Sequence, residues 1–393
     1  MVRSFAALES RVFDVLVTGG GITGAGIARD AAMRGMSVAI VDKGDWASGT
    51  SSRSSRLIHG GIRYLEHGQI GMVRESVRER EILLRIAPHL VKPLEFTWPV
   101  YRGARLPRWK LRIGLAMYDL LAGKRGVRKH DALDRKEVLE REPALRHNGL
   151  RGGASYFDAA TDDAGLTRAN IASAVEHGAV AVSHAMTEST TATGGRADGA
   201  IVRDMLGNGI ARVRAHVLVS ATGPWQAKGT KGSHIVVPRT RIGNHGAVTM
   251  ISPDDGRVMF MLPSGESTII GTTDIYTDET PDDVRASERE IAYLLRAANA
   301  YFPDSALTPA DITATWAGIR PLATAPPGTK PSSISREHLI SHDSQGVIVV
   351  TGGKLTTYRS MAAQVVDHTE RALGRAHVES RTGEVPLGET TAA

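Results

Sequence analysis

Three glycines near the start of the chain have the spacing of a phosphate-binding turn. They form Gly19-x-Gly21-x-x-Gly24 directly after the apolar run FDVLVT. Glycines at this spacing permit a tight turn, a close approach of the backbone to a pyrophosphate, and contact between helix and strand. Asp42 ends the next apolar run about 20 residues later, where a carboxylate can bind a ribose. The combination predicts a dinucleotide site without distinguishing NAD from FAD.

A second candidate anion site is Gly352-Gly353-Lys354. It follows the strand-like run Val347–Thr351 and precedes a predicted helix, Thr356–Leu373. The first N–H groups of a helix and its dipole favour a bound anion, and Lys354 adds a full positive charge.

Hydroxyl and imidazole groups supply further candidates. The loop Thr50–Ser55 is rich in neutral donors that suit sugar and phosphate oxygens, although a solvated polar loop has the same composition. His234 begins a strand-like run, and an imidazole that titrates near pH 6.5 can accept a hydroxyl proton around neutrality. A structural role for His234 is the alternative, and His59 competes with it for the role of base.

Two kinds of element must position these residues. The stretch from Phe13 to Asp42 reads as strand, helix, strand, which predicts a β-α-β unit. Between Ser233 and Asp274 the runs SHIVVP, GAVTMIS, RVMFMLP and STIIGTTD, separated by turn residues, predict an antiparallel sheet. Ser287 and Glu290 predict a capped helix after that sheet. The fold class is therefore α/β, with a Rossmann-like nucleotide-binding domain and an inserted antiparallel-sheet substrate domain.

The predicted division of the chain alternates between these domains. The nucleotide-binding domain comprises three parts, 1–100, 151–225 and 331–375. The substrate side comprises a basic helical excursion, 101–150, and the substrate domain itself, 226–330. Residues 376–393 form a weakly patterned tail.

Composition limits the partners of the chain. Without cysteine it has no disulfide, thiolate metal site or cysteine nucleophile. A net charge of +6 favours an anionic partner. Arg102–Lys129 is strongly basic with interleaved apolar residues, which suits an anionic membrane surface or a solvated face; nucleic acid is disfavoured because no binding motif accompanies it. Without a secretory or membrane-spanning segment, we expect a cytoplasmic protein, peripheral on the inner face of the cell membrane.

Longer motifs make the assignment specific. The chain resembles the FAD-dependent, quinone-linked glycerol-3-phosphate dehydrogenases of the glycine-oxidase-like flavoprotein superfamily through TSSRSSRLIHGGIRYLE (50–66), ATGPW (221–225), KGSHIVVP (231–238), IGTTD (270–274), GIRPL (318–322) and GGKLTTYR (352–359). The resemblance implies a glycine/D-amino-acid-oxidase-like fold, non-covalent FAD, glycerol 3-phosphate as substrate, hydride transfer from its C2 to flavin N5, and quinone as acceptor. A homodimer is compatible with it.

The resemblance also implies roles for individual residues. His234 is the expected base, and Arg63, Arg320 and Lys354 are the expected cations around the substrate phosphate. The residues expected to hold FAD are Gly19, Gly21, Gly24, Asp42, Thr50, Ser51, Ser55, Leu57, His59, Gly223, Gly353, Lys354, Leu355 and Thr356. No metal ligand is expected.

Two departures from the family leave alternatives open. Members usually continue by roughly a hundred residues beyond GGKLTTYR as a helical cap, which we expect to be absent here. The stretch between Trp225 and Lys231 is also shorter than expected. The alternatives are a related FAD oxidase that uses oxygen, and a shortened FAD-binding paralogue without catalysis.

Overall fold

A computed structural model of the chain describes residues 3–123, 127–223, 229–320 and 338–389, without the side chains of Arg63, Glu66 and His67. Its strands are β1 (Val12–Thr18), β2 (Val38–Val41), β3 (Leu57–Ile58), β4 (Val91–Tyr101), β5 (Asp131–Leu133), β6 (Leu150–Thr161), β7 (Val180–Val182), β8 (Ala185–Thr193), β9 (Arg196–Asp204), β10 (Ile210–Ser220), β11 (Gly229–Pro238), β12 (Ala247–Ile251), β13 (Val258–Ser264), β14 (Ser267–Gly271), β15 (Ile275–Thr277), β16 (Ala314–Arg320), β17 (Leu339–His342) and β18 (Ile348–Thr351). Its α-helices are α1 (Ile22–Met33), α2 (Ile70–Ile86), α3 (Arg108–Ala122), α4 (Arg135–Arg141), α5 (Asp163–Glu176), α6 (Arg239–Ile242), α7 (Glu288–Tyr301) and α8 (Tyr358–Leu373).

The first sheet carries the predicted β-α-β unit. Its strand order is β17-β18-β10-β1-β2-β7, with the β8–β9 hairpin joined to β10. β1 runs parallel to β2 and β10, and β18 runs parallel to β10. Every residue of β2 is buried, as expected for a parallel strand covered on both faces. Helices α1, α5 and α8 pack together on this sheet, so the predicted Rossmann-like unit is confirmed.

The second sheet has ten strands and is mainly antiparallel. Its order is β15-β11-β14-β13-β12-β4-β6-β3, with β16 paired to β11 and β5 paired to β6. The four runs predicted as an antiparallel sheet form β11 to β14, and α7 covers them with the capping box of Ser287 and Glu290 in place. β3, β4 and β6 also join this sheet, although the sequence division placed most of their residues with the nucleotide-binding domain.

Helix α2 differs from its expected character. Its charge pattern predicts an exposed helix, yet Glu79 and Arg80 are buried. Arg80 donates to Asp158 on β6 at 2.6 Å, and Glu79 accepts from Arg359 on α8 at 2.8 Å. These two charges of α2 therefore link elements of the two sheets, whereas Arg74, Arg78 and Arg85 of the same helix are exposed as expected.

The predicted tail also packs on the body of the protein. Arg29 on α1 is fully buried and donates to the backbone carbonyls of Thr382 and Val385. Leu387 is buried, and its N–H donates to the carbonyl of Ile86. Three of these contacts are made by main-chain groups of the tail, which any sequence supplies, so they leave little pattern in its residues. Across the described residues, no helix has both the length and the apolar character to cross a bilayer.

Candidate active site

The turn between β1 and α1 has the geometry expected of a phosphate cradle. Gly19 has φ +105°, and a Cβ there would lie 2.5 Å from the carbonyl oxygen of Ala221. A Cβ on Gly24 would lie 1.8 Å from the oxygen of Gly19. Strand, helix and the end of β10 thus approach each other only because side chains are missing. This cradle fits the pyrophosphate of a dinucleotide. Gly223, predicted to border the cofactor, follows β10 with φ +83°.

Asp42 lies beside this cradle. Its carboxylate accepts from the N–H of Gly20 at 2.6 Å and from that of Gly44 at 2.8 Å. Burial raises the pKa of Asp42, while these two backbone donors act in the opposite direction. Asp42, the predicted ribose ligand, therefore also holds the backbone at Gly20 in the cradle and at Gly44 after β2.

The hydroxyl-rich loop joins the two sheets. Ser51 accepts at Oγ from the N–H of Ile22, at the start of α1, at 2.9 Å. Thr50 donates from Oγ1 to the carbonyl of Ile319 on β16 at 3.0 Å. Leu57, at the far end of the loop, is buried in β3. The loop thus runs from the phosphate cradle across to the second sheet.

His234 lies where this loop meets β11. Its Nε2 is 2.8 Å from Oγ of Ser55, and its side chain is buried. Burial first, and then the charges of Arg320 and Arg56, lower the pKa of His234 to about 3. The pKa of His234 thus lies below the ordinary value of 6.5 on which the sequence argument relied, because burial disfavours the charged form. His234 is neutral at physiological pH.

Arg320 lies on the same face of the second sheet as His234. The register pairs His234 with Trp316 and Thr230 with Arg320, and side chains two residues apart share a face. Arg320 donates to Asp274 at 3.0 Å and to Oγ1 of Thr272 at 2.8 Å. The guanidinium occupies space that is open because residue 232 is glycine: a Cβ there would lie 2.0 Å from Nη2.

The segment after β18 approaches the loop from the other side. A 3-10 turn, Leu355–Thr357, separates Gly353 and Lys354 from α8, so the helix begins later than predicted. The hydroxyl of Thr356 accepts from the N–H of His59 at 3.1 Å. Lys354 lies 4.2 Å from the centre of the Tyr64 ring and 3.3 Å from Oγ of Ser76.

The described contacts therefore sort the predicted residues into groups. Ser55 and His234 are within hydrogen-bond distance, and Arg320 lies on the same sheet face as His234. The side chain of Lys354, in contrast, contacts Tyr64 and Ser76. The side chain of Arg63, most of the shortened stretch from Trp225 to Lys231, and the last two residues of GIRPL lie outside the described part of the chain.

Several neighbours of the site were not among the predicted site residues. Asp274, which pairs with Arg320, also pairs with Arg257 at 2.9 Å. Trp316 stacks on His234, and Arg56 lies over Trp316. The sequence signal for Asp274 is its place at the end of the IGTTD motif, and that for Arg56 is its place inside the motif at 50–66. Trp316 lies in none of the motifs.

One group of the described residues has metal-ligand chemistry. Asp367, Glu370 and His377 lie close enough together to share an ion. Arg34 donates to Asp367 at 2.6 Å and to Glu370 at 3.1 Å. A fixed cation therefore already contacts both carboxylates, and the group lies outside the site described above.

Comparison with known proteins agrees with this geometry. A sequence model described as FAD dependent oxidoreductase matches residues 14–359. The chain is 39% identical over 381 residues to the aerobic glycerol-3-phosphate dehydrogenase of Staphylococcus saprophyticus, covering 93% of this chain and 68% of that protein. Its structure is similar to the Bacillus halodurans glycerol-3-phosphate dehydrogenase complexed with FAD, with TM-score 0.80, 33% identity, and coverage of 97% and 69% of the two chains. Glycine oxidase from Geobacillus kaustophilus has the same fold, with TM-score 0.65, 19% identity, and coverage of 97% and 99%. The predicted fold class is confirmed.

Proposed function

The chain belongs to the FAD dependent oxidoreductase family, and on that premise we propose that it oxidises sn-glycerol 3-phosphate to dihydroxyacetone phosphate and passes the electrons to quinone. The relatives named as glycerol-3-phosphate dehydrogenases, one of them complexed with FAD, support the substrate and the cofactor. The quinone rests on the family resemblance and on the surface of α3 described below.

One observation carries the proposal. The loop that borders the phosphate cradle at Ser51 reaches the second sheet at Ser55, where it contacts His234. A neutral imidazole and the Arg320 guanidinium lie on that sheet face. A base for an alcohol and a cation for a phosphate therefore lie at the end of the cofactor-binding loop.

Each residue has a defined task in this proposal. His234 accepts the proton of the C2 hydroxyl, for which it must be neutral before the reaction. Arg320 binds the substrate phosphate, and its planar guanidinium can make two parallel bonds to it. Lys354 and Arg63 supply further positive charge. The cradle, Asp42 and the hydroxyl loop hold FAD, which when bound supplies the flavin N5 that accepts hydride.

The experiment is anaerobic addition of glycerol 3-phosphate to the purified, FAD-loaded protein. We expect the flavin absorbance to bleach, and His234→Asn to bind FAD while bleaching at least about 100-fold more slowly. A flavin that stays oxidised would favour the non-catalytic alternative and refute the proposal. If the reduced protein reacts with oxygen to give stoichiometric peroxide faster than it reduces a quinone, the acceptor is oxygen.

Helix α3 supports a peripheral position on an anionic membrane. Leu111, Leu115 and Tyr118 bury one side of the helix. Opposite them lies an exposed apolar row, defined by Trp109, Ile113, Met117 and Leu120, which are 61%, 55%, 41% and 79% exposed. Lys110 and Arg112 are exposed beside this row. A helix with an apolar strip bordered by basic residues suits the boundary between headgroups and acyl chains.

Co-sedimentation with vesicles tests this position. We propose that the protein binds vesicles containing phosphatidylserine more tightly than phosphatidylcholine vesicles, and that salt weakens the binding. Leu120→Ser should reduce binding. Leu206→Ser is the matched control, because Leu206 is 66% exposed in the turn between β9 and β10, away from α3. Equal loss in both variants would refute the assignment to α3.

A further inference from the structure

Trp316 lies against the imidazole of His234 and has no task in the reaction described above. The two rings are stacked, with centroids 5.1 Å apart and planes 18° apart. The guanidinium carbon of Arg56 lies 5.1 Å from the centre of the Trp316 ring. We propose that Trp316 and Arg56 are positioning residues: the indole holds the His234 ring in one orientation, and Arg56, which lies over that indole, places a positive charge beside the stacked rings. This inference rests on the proposed role of His234 as base.

The register of three strands confines the imidazole from two sides. His234 on β11 is paired with Trp316 on β16 and with Gly271 on β14. A Cβ on Gly271 would lie 2.2 Å from Cδ2 of the imidazole, so the ring occupies the space that a side chain there would need. The indole closes the opposite side. The ring therefore depends on Trp316 for its orientation, because glycine cannot hold it by side-chain contact.

The loop fastens both rings at once. Nε1 of Trp316 donates to the carbonyl of Ser54 at 3.2 Å, and the next residue, Ser55, contacts Nε2 of His234. The hydroxyl of Ser54 donates to Asp163 at 2.6 Å, which ties the loop to the start of α5. The indole, the imidazole and the cofactor-binding loop thus form one connected unit. Nδ1 of His234 has no hydrogen-bond partner among the described residues, so the stack and Ser55 are what orient the ring.

Two cations face the imidazole. Arg320 approaches from β16 and Arg56 from the loop, and both lower the pKa of His234 after the larger effect of burial. Asp274, the carboxylate near this cluster, engages Arg320 and Arg257. A second positive charge beside the imidazole disfavours its protonation, so it keeps the ring neutral and also lowers its basicity. Arg56 is exposed, so solvent screens its charge, and its effect on the pKa of His234 is smaller than those of burial and Arg320.

The test compares conservative and disruptive variants of both residues. In the FAD-loaded protein, Trp316→Leu should slow anaerobic flavin reduction about 10- to 100-fold at unchanged FAD content, because a displaced base loses alignment with the substrate. Trp316→Phe keeps a ring in the stack and should recover most of that rate. Equal rates for the Leu and Phe variants would overturn the positioning role of the indole.

A second measurement does not depend on turnover. In protein labelled with ¹⁵N-histidine, the ring signals of His234 are identified by their loss in His234→Asn, and their pH titration reports the protonation of this one residue. Arg56→Gln should move that titration to higher pH, and Arg56→Lys should restore the parent curve. An unmoved titration in Arg56→Gln would overturn the electrostatic role.

The two measurements also separate this inference from the proposed function. If the unmodified protein is not reduced by glycerol 3-phosphate, the proposed function fails while the titration still tests the stack. If the unmodified protein is reduced, but the two Trp316 variants are reduced at equal rates and the two Arg56 variants give the same His234 titration, only the inference fails. Because Arg56 is exposed, its variants remain informative even if Trp316→Leu does not fold.

Discussion

The burial of a neutral histidine has a direct consequence for stability in acid. The pKa of His234 is about 3 in the folded protein against an ordinary value of 6.5 in an unfolded chain. At a pH between these values the unfolded chain binds a proton that the folded chain does not. Stability is therefore fully present above about pH 6.5 and is lost as the pH falls toward about 3. We predict that His234→Asn removes this part of the acid sensitivity.

The magnitude follows from the same two pKa values. At about pH 5 the unfolded histidine lies about 1.5 pH units below its midpoint, while the folded one is still neutral. With about 1.36 kcal/mol for each unit, the free energy of unfolding falls by about 2 kcal/mol between about pH 7.5 and about pH 5 through this residue alone. His234 is only 2% exposed, so solvent screening does not reduce the effect substantially.

Urea unfolding at saturating FAD at these two pH values measures the effect. The parent protein should lose about 2 kcal/mol more than His234→Asn on going to the lower pH, whatever the stabilities of the two proteins at the higher pH. His216→Asn is the control, since His216 is exposed on β10, and it should retain the acid sensitivity of the parent. If His234→Asn loses as much stability as the parent, the imidazole is not held neutral and the reasoning is wrong.

Three further predictions test separate contacts. Gly24→Ala should give a colourless protein, because the new Cβ would meet a backbone oxygen at 1.8 Å; a normal flavin spectrum after purification would contradict this. Gly232→Ala should raise the KM for glycerol 3-phosphate about 10-fold or more at unchanged FAD content, because the new Cβ displaces the guanidinium of Arg320; an unchanged KM in steady-state kinetics would remove Arg320 from substrate binding. Asp158→Asn should lower the free energy of unfolding by about 1–3 kcal/mol, since buried Arg80 loses its pair with Asp158 and keeps the one with Glu81. Urea unfolding measures this loss, and a change below about 1 kcal/mol would refute it.

The local parts of the site were predictable because local physics produces them. A glycine turn between a strand and a helix needs only residues 13–24, and the acid at the end of the next strand follows from the length of one β-α-β unit. The antiparallel strands β11 to β14 were predictable for the same reason, since apolar runs alternate there with turn residues. The capping box of Ser287 and Glu290 is likewise a pattern of neighbours.

The environment of the base depends on pairing between distant strands. His234 and Ser55 are 179 residues apart, and Arg320 and Asp274 are 46 apart. Whether Trp316 faces His234 depends on the register of β11 and β16, because a shift by one residue would move the indole to the other face of the sheet. Burial, the largest cause of the fall in the pKa of His234 from 6.5 to about 3, also arises only once both sheets and the loop have come together. Residue types and spacing along the chain thus decided the cofactor-binding turn and the class of fold, whereas strand register and desolvation in the folded chain decided the partners and the charge of the proposed base.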